Sequence, residues 1–154
     1  MERNNVMTFK GNPLTLVGPA LKVGDKAPDF SLLDNGLQPV TLSSSAGKVR
    51  MFSIVPSLDT PVCDIQTVTF NKRAAELGSN VKLYTVSADL PFAQARYCAA
   101  KAVERLQTVS DHRDMSFGNN YGLTIKELRL LARAVVIVDA QDVIRYMQIV
   151  PEMT

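Results

Sequence analysis

Tryptophan is absent from this chain, cysteine occurs twice and histidine once, at His112. Each scarcity excludes something. One histidine and two cysteines, Cys63 and Cys98, with no CxxC spacing, leave too few donors for a zinc site. Two cysteines in a reducing compartment more often mean redox chemistry or nothing. No run of 18 apolar residues spans a membrane, and Met1 to Lys10 lacks the apolar core of a signal peptide. The expected compartment is therefore the cytoplasm, with no membrane partner. Net charge is also small: 17 basic against 15 acidic residues leave +2 with no basic stripe, so nucleic acid is not an expected partner.

What is present is an ordinary globular composition, 46% hydrophobic and 21% charged over 154 residues. That length suits a single domain, residues 1–154, able to bury its own core.

The chain is organised around residues 54–66. Val49 to Val55 is a nearly continuous apolar run and predicts a buried central strand. A loop holding Pro56 and Pro61 follows, and Cys63 opens a segment with helical spacing to Leu77. A thiol at a helix N-terminus meets unpaired N–H groups and the positive end of the helix dipole, which favour thiolate. The alternative is a small buried hydrophobe, the ordinary fate of a free cysteine.

Around this stretch, Phe9 to Val17 reads as a short hairpin turning at Gly11-Asn12-Pro13. Asp29 to Leu33 and Pro39 to Leu42 read as strands about a tight Asp34-Asn35-Gly36 turn. Val81 to Ser87 is the next strand, completing a βαβ unit with parallel strands. Pro91 opens a second helix to about Val103, with Cys98 inside it. Leu106 to Val109 is a short strand, Asp111 to Tyr121 a short helix, and residues 123–129 a polar connection. Arg133 to Asp139 and Val143 to Val150 form an antiparallel hairpin over Ala140 to Asp142. The plan is an α/β sandwich with a mixed sheet and an N-terminal β-hairpin extension. Such a plan ordinarily closes with a helix after its last strand; the chain stops at Thr154, and that final C-terminal helix is expected to be absent.

Arg133 interrupts an apolar context. Its stem could pack at an edge while its head reaches water. If buried, it needs an acceptor, and a thiolate would be one. His112 reads as a solvated side chain. Asp89 to Phe92 reads as the start and packing of a helix, and Phe92, Tyr97 and the methionines read as core.

Two stretches then carry a resemblance. Pro56-x-x-x-Thr60-x-x-Cys63 matches the peroxiredoxin PxxxTxxC motif. Ser87-Ala-Asp-Leu-Pro-Phe-Ala-Gln-x-Arg-x-Cys98 and Leu131-Ala-Arg-Ala-Val135 are similar to the bacterial thiol peroxidase (Tpx) branch, the atypical two-cysteine peroxiredoxins. The likeness runs from about Phe9 to the C-terminus. It implies a thioredoxin-like fold and a peroxidase acting on hydrogen peroxide and organic hydroperoxides, with no metal, haem or flavin. By resemblance Cys63 is the peroxidatic cysteine, which becomes a sulfenic acid. Cys98 resolves it as a disulfide within the subunit. Thr60 hydrogen-bonds peroxide or thiolate, Pro56 shields the site, and Arg133 stabilises charge on the leaving oxygen. Thr60 could also be a helix N-cap. Thioredoxin as reductant and a homodimer complete the implied picture. The rival readings are a protein-disulfide oxidoreductase and an inactive thioredoxin-like binding module. Against the first stands Thr60, where a CxxC would begin; against the second stand intact Pro56, Thr60, Cys63 and Arg133.

Overall fold

A computed structural model describes residues 1–59, 66, 80–101 and 106–152. Two sheets carry the architecture. The smaller holds β1 (Glu2–Phe9), β2 (Asn12–Val17), β8 (Thr124–Ile125) and β9 (Leu130–Leu131), in the order β1-β2-β8-β9. The larger runs β11-β10-β5-β6-β7-β3-β4. Its strands are β3 (Leu32–Leu33), β4 (Pro39–Val40), β5 (Val49–Ile54), β6 (Val81–Ser87), β7 (Gln107–Ser110), β10 (Ala134–Val138) and β11 (Ile144–Ile149). Two helices, α1 (Pro91–Lys101) and α2 (Ser116–Tyr121), are described. The helix expected over Cys63 to Leu77 lies outside the described residues, apart from Gln66, which is helical.

β5, β6 and β7 are parallel, and the flanking strands pair antiparallel. The sheet is mixed, as the order of elements implied, and the fold is thioredoxin-like α/β. β5 sits between β10 and β6, which explains its apolar run: Phe52, Ser53 and Ile54 are all buried, on both faces of the strand. Phe52 stacks on Tyr84, its register partner on β6, with ring centroids 5.3 Å apart. Phe30, Phe117 and Tyr121 complete an aromatic core around Phe52.

Several expected boundaries move. The N-terminal hairpin begins at Glu2 rather than Phe9: Glu2 to Asn5 lie on an edge strand, where Glu2, Asn4 and Asn5 are exposed and Arg3 donates to the carbonyls of Gly18 and Gly122. Its turn is Lys10-Gly11, both at positive φ, as a tight primed turn requires. Pro13 is therefore in the strand, opposite Thr8. Asp29 to Phe30 are not strand: the Asp29 carboxylate instead accepts the Leu42 N–H at 3.1 Å and the N–H of Phe30 at 2.8 Å. The stretch 123–129 is not merely polar connection, since Thr124 and Ile125 are buried and pair with both β2 and β9. The expected helix from Asp111 starts only at Ser116. Phe92, expected in the core, is 64% exposed, because α1 turns Pro91 and Gln94 inward.

Arg50, a polar interruption in the sequence, is fully buried. It donates to Ser45 Oγ, to the carbonyls of Leu42, Lys48 and Asp139, and to Asp142 at 2.5 Å. That set pins the first residues of β5 to the β10–β11 turn.

Candidate active site

The three parallel strands end side by side, which is where open α/β sheets place their ligands. Beyond β5 the chain turns at Pro56, which is buried, and continues through Ser57 and Leu58. Beyond β6 comes Asp89; β7 ends at Ser110, and Asp111 follows it.

Asp89 joins these ends. One carboxylate oxygen accepts the Ser57 hydroxyl at 2.7 Å. The other accepts the Leu58 N–H at 2.7 Å and the Ser87 hydroxyl at 2.8 Å. Its backbone carbonyl accepts the Ser110 hydroxyl. Hydrogen bonds to a carboxylate are the strong kind, so the loop after β5 is held to the chain that opens α1. Gln94, fully buried on α1, adds a cross-tie by donating to Ser87 Oγ and to the Val109 carbonyl, both at 2.9 Å.

Cys98 lies one helical turn further along α1. It is half-buried among Leu83, Leu106, Met51 and Tyr97, and it is a free thiol. Its sulfur is 3.3 Å from Thr108 Oγ1 on β7, and the Thr108 hydroxyl donates to Asn35 Oδ1 at 3.0 Å. Between α1 and the loop after β5 lies a cleft of about 380 Å³, lined by Ser57, Leu58, Asp89, Arg96 and Tyr97 among others.

Arg133 precedes β10 and is only 7% exposed, which decides between the two sequence readings: it is buried, not an edge residue. Its Nη1 donates to Gln66 Oε1 at 3.1 Å, and Gln66 Nε2 donates to Ser53 Oγ at 2.6 Å. The chain Arg133–Gln66–Ser53 therefore ties β10 and β5 to a helical residue three positions after Cys63. Thr60 and Cys63 themselves lie outside the described residues. Of the five residues expected at the site, the structure places Pro56, Cys98 and Arg133.

Asp111 is the strongly perturbed acid nearby. Burial pushes its carboxyl up to about 6; the N–H groups of Gly118 and Phe117 oppose the rise and the Asp114 charge adds to it. Those two N–H groups, at 2.8 and 3.1 Å, belong to the first turn of α2, so the group serves to seat that helix.

Sequence reasoning passed over Ser53, Gln66, Asp89, Gln94, Thr108 and Asn35 as site-forming residues. A usable signal existed for Ser53 and Ser87: both are polar residues near the ends of otherwise apolar parallel strands. Nothing in the spacing marked Asn35, which reaches Cys98 only through Thr108.

Comparison with known proteins follows the same lines. The Redoxin family profile matches residues 22–154. The thiol peroxidase of Halalkalibacterium halodurans is 58% identical over 148 residues, covering 96% of this chain and 89% of the relative. That of Bacillus subtilis (strain 168) is 55% identical, covering 96% and 88%. Among solved structures, a peroxiredoxin-like protein from Aquifex aeolicus superposes with a TM-score of 0.90 at 41% identity, over 98% of this chain and 88% of that one. A thiol peroxidase from Chromobacterium violaceum, 20% identical, shares the fold with a TM-score of 0.85 over 96% and 86% of the two chains.

Proposed function

The chain belongs to the redoxin family and is a thiol-dependent peroxidase of the peroxiredoxin type; from that premise we propose that Cys63 is its peroxidatic thiol and Cys98 its resolving thiol. An ordinary cysteine, with a pKa near ~8.5, is only about 3% ionised at neutral pH. A helix terminus and a buried guanidinium both favour the anion. The observation that carries the reading is Arg133: buried, and hydrogen-bonded to Gln66, three positions after Cys63. Its charge stabilises the thiolate first and the departing oxygen next.

The Cys63 thiolate attacks the terminal oxygen of hydrogen peroxide or an organic hydroperoxide. A sulfenic acid forms, and water or an alcohol leaves after taking up a proton. Thr60 orients the peroxide and Pro56 excludes water. Cys98 then forms the disulfide within the same subunit, and thioredoxin reduces it. Cys98 sits inside α1, and disulfide formation is expected to unwind the helix locally around it. A disulfide that requires unwinding leaves the reduced protein at least as stable as the oxidised one.

A homodimer is the proposed assembly, and the exposed Leu90 and Phe92 at the start of α1 supply apolar surface for it. The cytoplasm is the proposed compartment, where thiols stay reduced between turnovers. Among the described residues no helix is long and apolar enough to cross a membrane.

The deciding assay couples thioredoxin, its reductase and NADPH to hydrogen peroxide or cumene hydroperoxide. Cys63→Ser abolishes turnover. Cys98→Ser keeps one turnover per site and loses recycling. Full activity in Cys63→Ser sinks the reading.

A further inference from the structure

We propose that Thr108 and Asn35 form a latch that holds the Cys98 thiol in α1 until Cys63 has been oxidised, which makes both of them positioning residues for the resolution step. The inference rests on the reading of Cys98 as the resolving cysteine.

The direction of the hydrogen bonds carries the argument. A threonine hydroxyl has one hydrogen to give. Thr108 gives it to Asn35 Oδ1 at 3.0 Å. The 3.3 Å contact between Cys98 Sγ and Thr108 Oγ1 is then a hydrogen bond only if the thiol donates. The chain runs from S–H to hydroxyl to amide oxygen, and the sulfur carries its proton. Three separate parts of the fold meet here: α1, β7 and the tight turn between β3 and β4 that contains Asn35. Thr108 is 1% exposed, so water does not compete for its oxygen.

The attacking species in thiol chemistry is the thiolate. A sulfur spending its hydrogen on Thr108 does not compete with Cys63 for peroxide. In resolution the Cys98 sulfur attacks the sulfenic sulfur of Cys63. The S–S bond forms, the S–O bond breaks, and water leaves carrying the Cys98 proton; no outside oxidant is required. For that step Cys98 must leave Thr108, so the latch opens as α1 unwinds.

The test uses two variants that keep the core filled. Thr108→Val preserves shape and removes the acceptor. Asn35→Ala, in an exposed turn, frees the Thr108 hydrogen to turn toward sulfur and remains informative if Thr108→Val does not fold. The first readout is the S–H stretching band of Cys98 in the Cys63→Ser protein, recorded by infrared difference against deuterated solvent. A donating thiol absorbs at lower frequency than a free one. The band rises in Thr108→Val and moves in Asn35→Ala; a purely space-filling role leaves it in place. The second readout is disulfide formation after one equivalent of hydrogen peroxide, with Cys63 present. Loss of one weak S–H bond accelerates it about threefold in Thr108→Val. An unmoved band in both variants overturns the latch, even if the disulfide forms normally. Failure of the unsubstituted protein to form the Cys63–Cys98 disulfide overturns the resolving role instead, and the two failures are read in separate samples.

Discussion

Asp89 accepts the backbone N–H of Leu58 at 2.7 Å, across 31 positions of sequence. This bond joins the two cysteine-bearing segments. Leu58 is five residues before Cys63, and Asp89 is two residues before the helix that carries Cys98. The proposed site depends on that tie as well as on the two cysteines.

Asp89→Ala removes acceptors from Ser57, Leu58 and Ser87 together. Bonds to an ionised group contribute about 1.5–3 kcal/mol each, and the expected loss of stability is roughly 3 kcal/mol after relaxation. Peroxidase kcat/KM falls by about tenfold or more, because a loosened loop misplaces the reacting groups. Asp89→Asn retains an acceptor oxygen and falls between. Thermal melts and coupled assays on both variants check this; unchanged kcat/KM in Asp89→Ala refutes it.

Arg50 makes a contrasting case. Arg50→Met leaves the carbonyls of Leu42, Lys48 and Asp139 without this donor and costs about 3 kcal/mol in a urea unfolding series. Pro56 lies six positions further along an extended stretch, roughly 20 Å away, so activity per folded molecule stays at the wild-type level. A fall in kcat at temperatures where the variant is fully folded contradicts that separation.

The pH response of Asp111 has a definite sign. The carboxyl moves from an ordinary 3.8 in the unfolded chain to about 6 in the folded one. Its contribution is complete below the lower value and is lost as pH rises through the upper one, by on the order of 3 kcal/mol. Asp111→Asn removes that loss while keeping one acceptor oxygen. The stability of the variant relative to wild type therefore improves between pH 4 and pH 6 and then levels off. A difference that stays flat over this window contradicts the assignment. The comparison must be a difference, since Asp139, lowered by bonds from Val143, Arg145 and Gln141, pulls the other way as pH rises.

Long-range patterning was legible and local chemistry was not. The apolar run at Val49 to Val55 and the Val81 to Ser87 strand announced a buried parallel pair. Pro91 announced the first turn of α1, and Ala140 to Asp142 announced a hairpin. Each rests on a periodicity or a proline rule that tertiary contacts do not override. Glu2 to Asn5 were not legible as strand, because an edge strand needs no apolar alternation and Asn5 sits at positive φ in a register shift. Thr124-Ile125 was too short to show a period. Arg50 looked like an interruption because its acceptors come from two stretches outside its strand, Leu42 to Lys48 and the β10–β11 turn. Of the residues expected at the site, Cys63 stood out by its place at a predicted helix start and Arg133 by its apolar context, while Thr60, Pro56 and the role of Cys98 came from motif likeness. Gln66, Asp89 and Thr108 required coordinates, since their role lies in whom they touch.

Gln94 has a mechanical consequence. Its amide is tied to both β6 and β7, so the first turn of α1 is anchored while Ala99, Ala100 and Lys101 lie exposed. Unwinding that starts from the C-terminal end of α1 stops at this anchor, which acts as a pivot. Four residues then form a leash, and fully extended it reaches roughly 14 Å. The sulfur of Cys98 can sweep only a sphere of that radius, so the same amide that packs the helix also sets how far its thiol can travel.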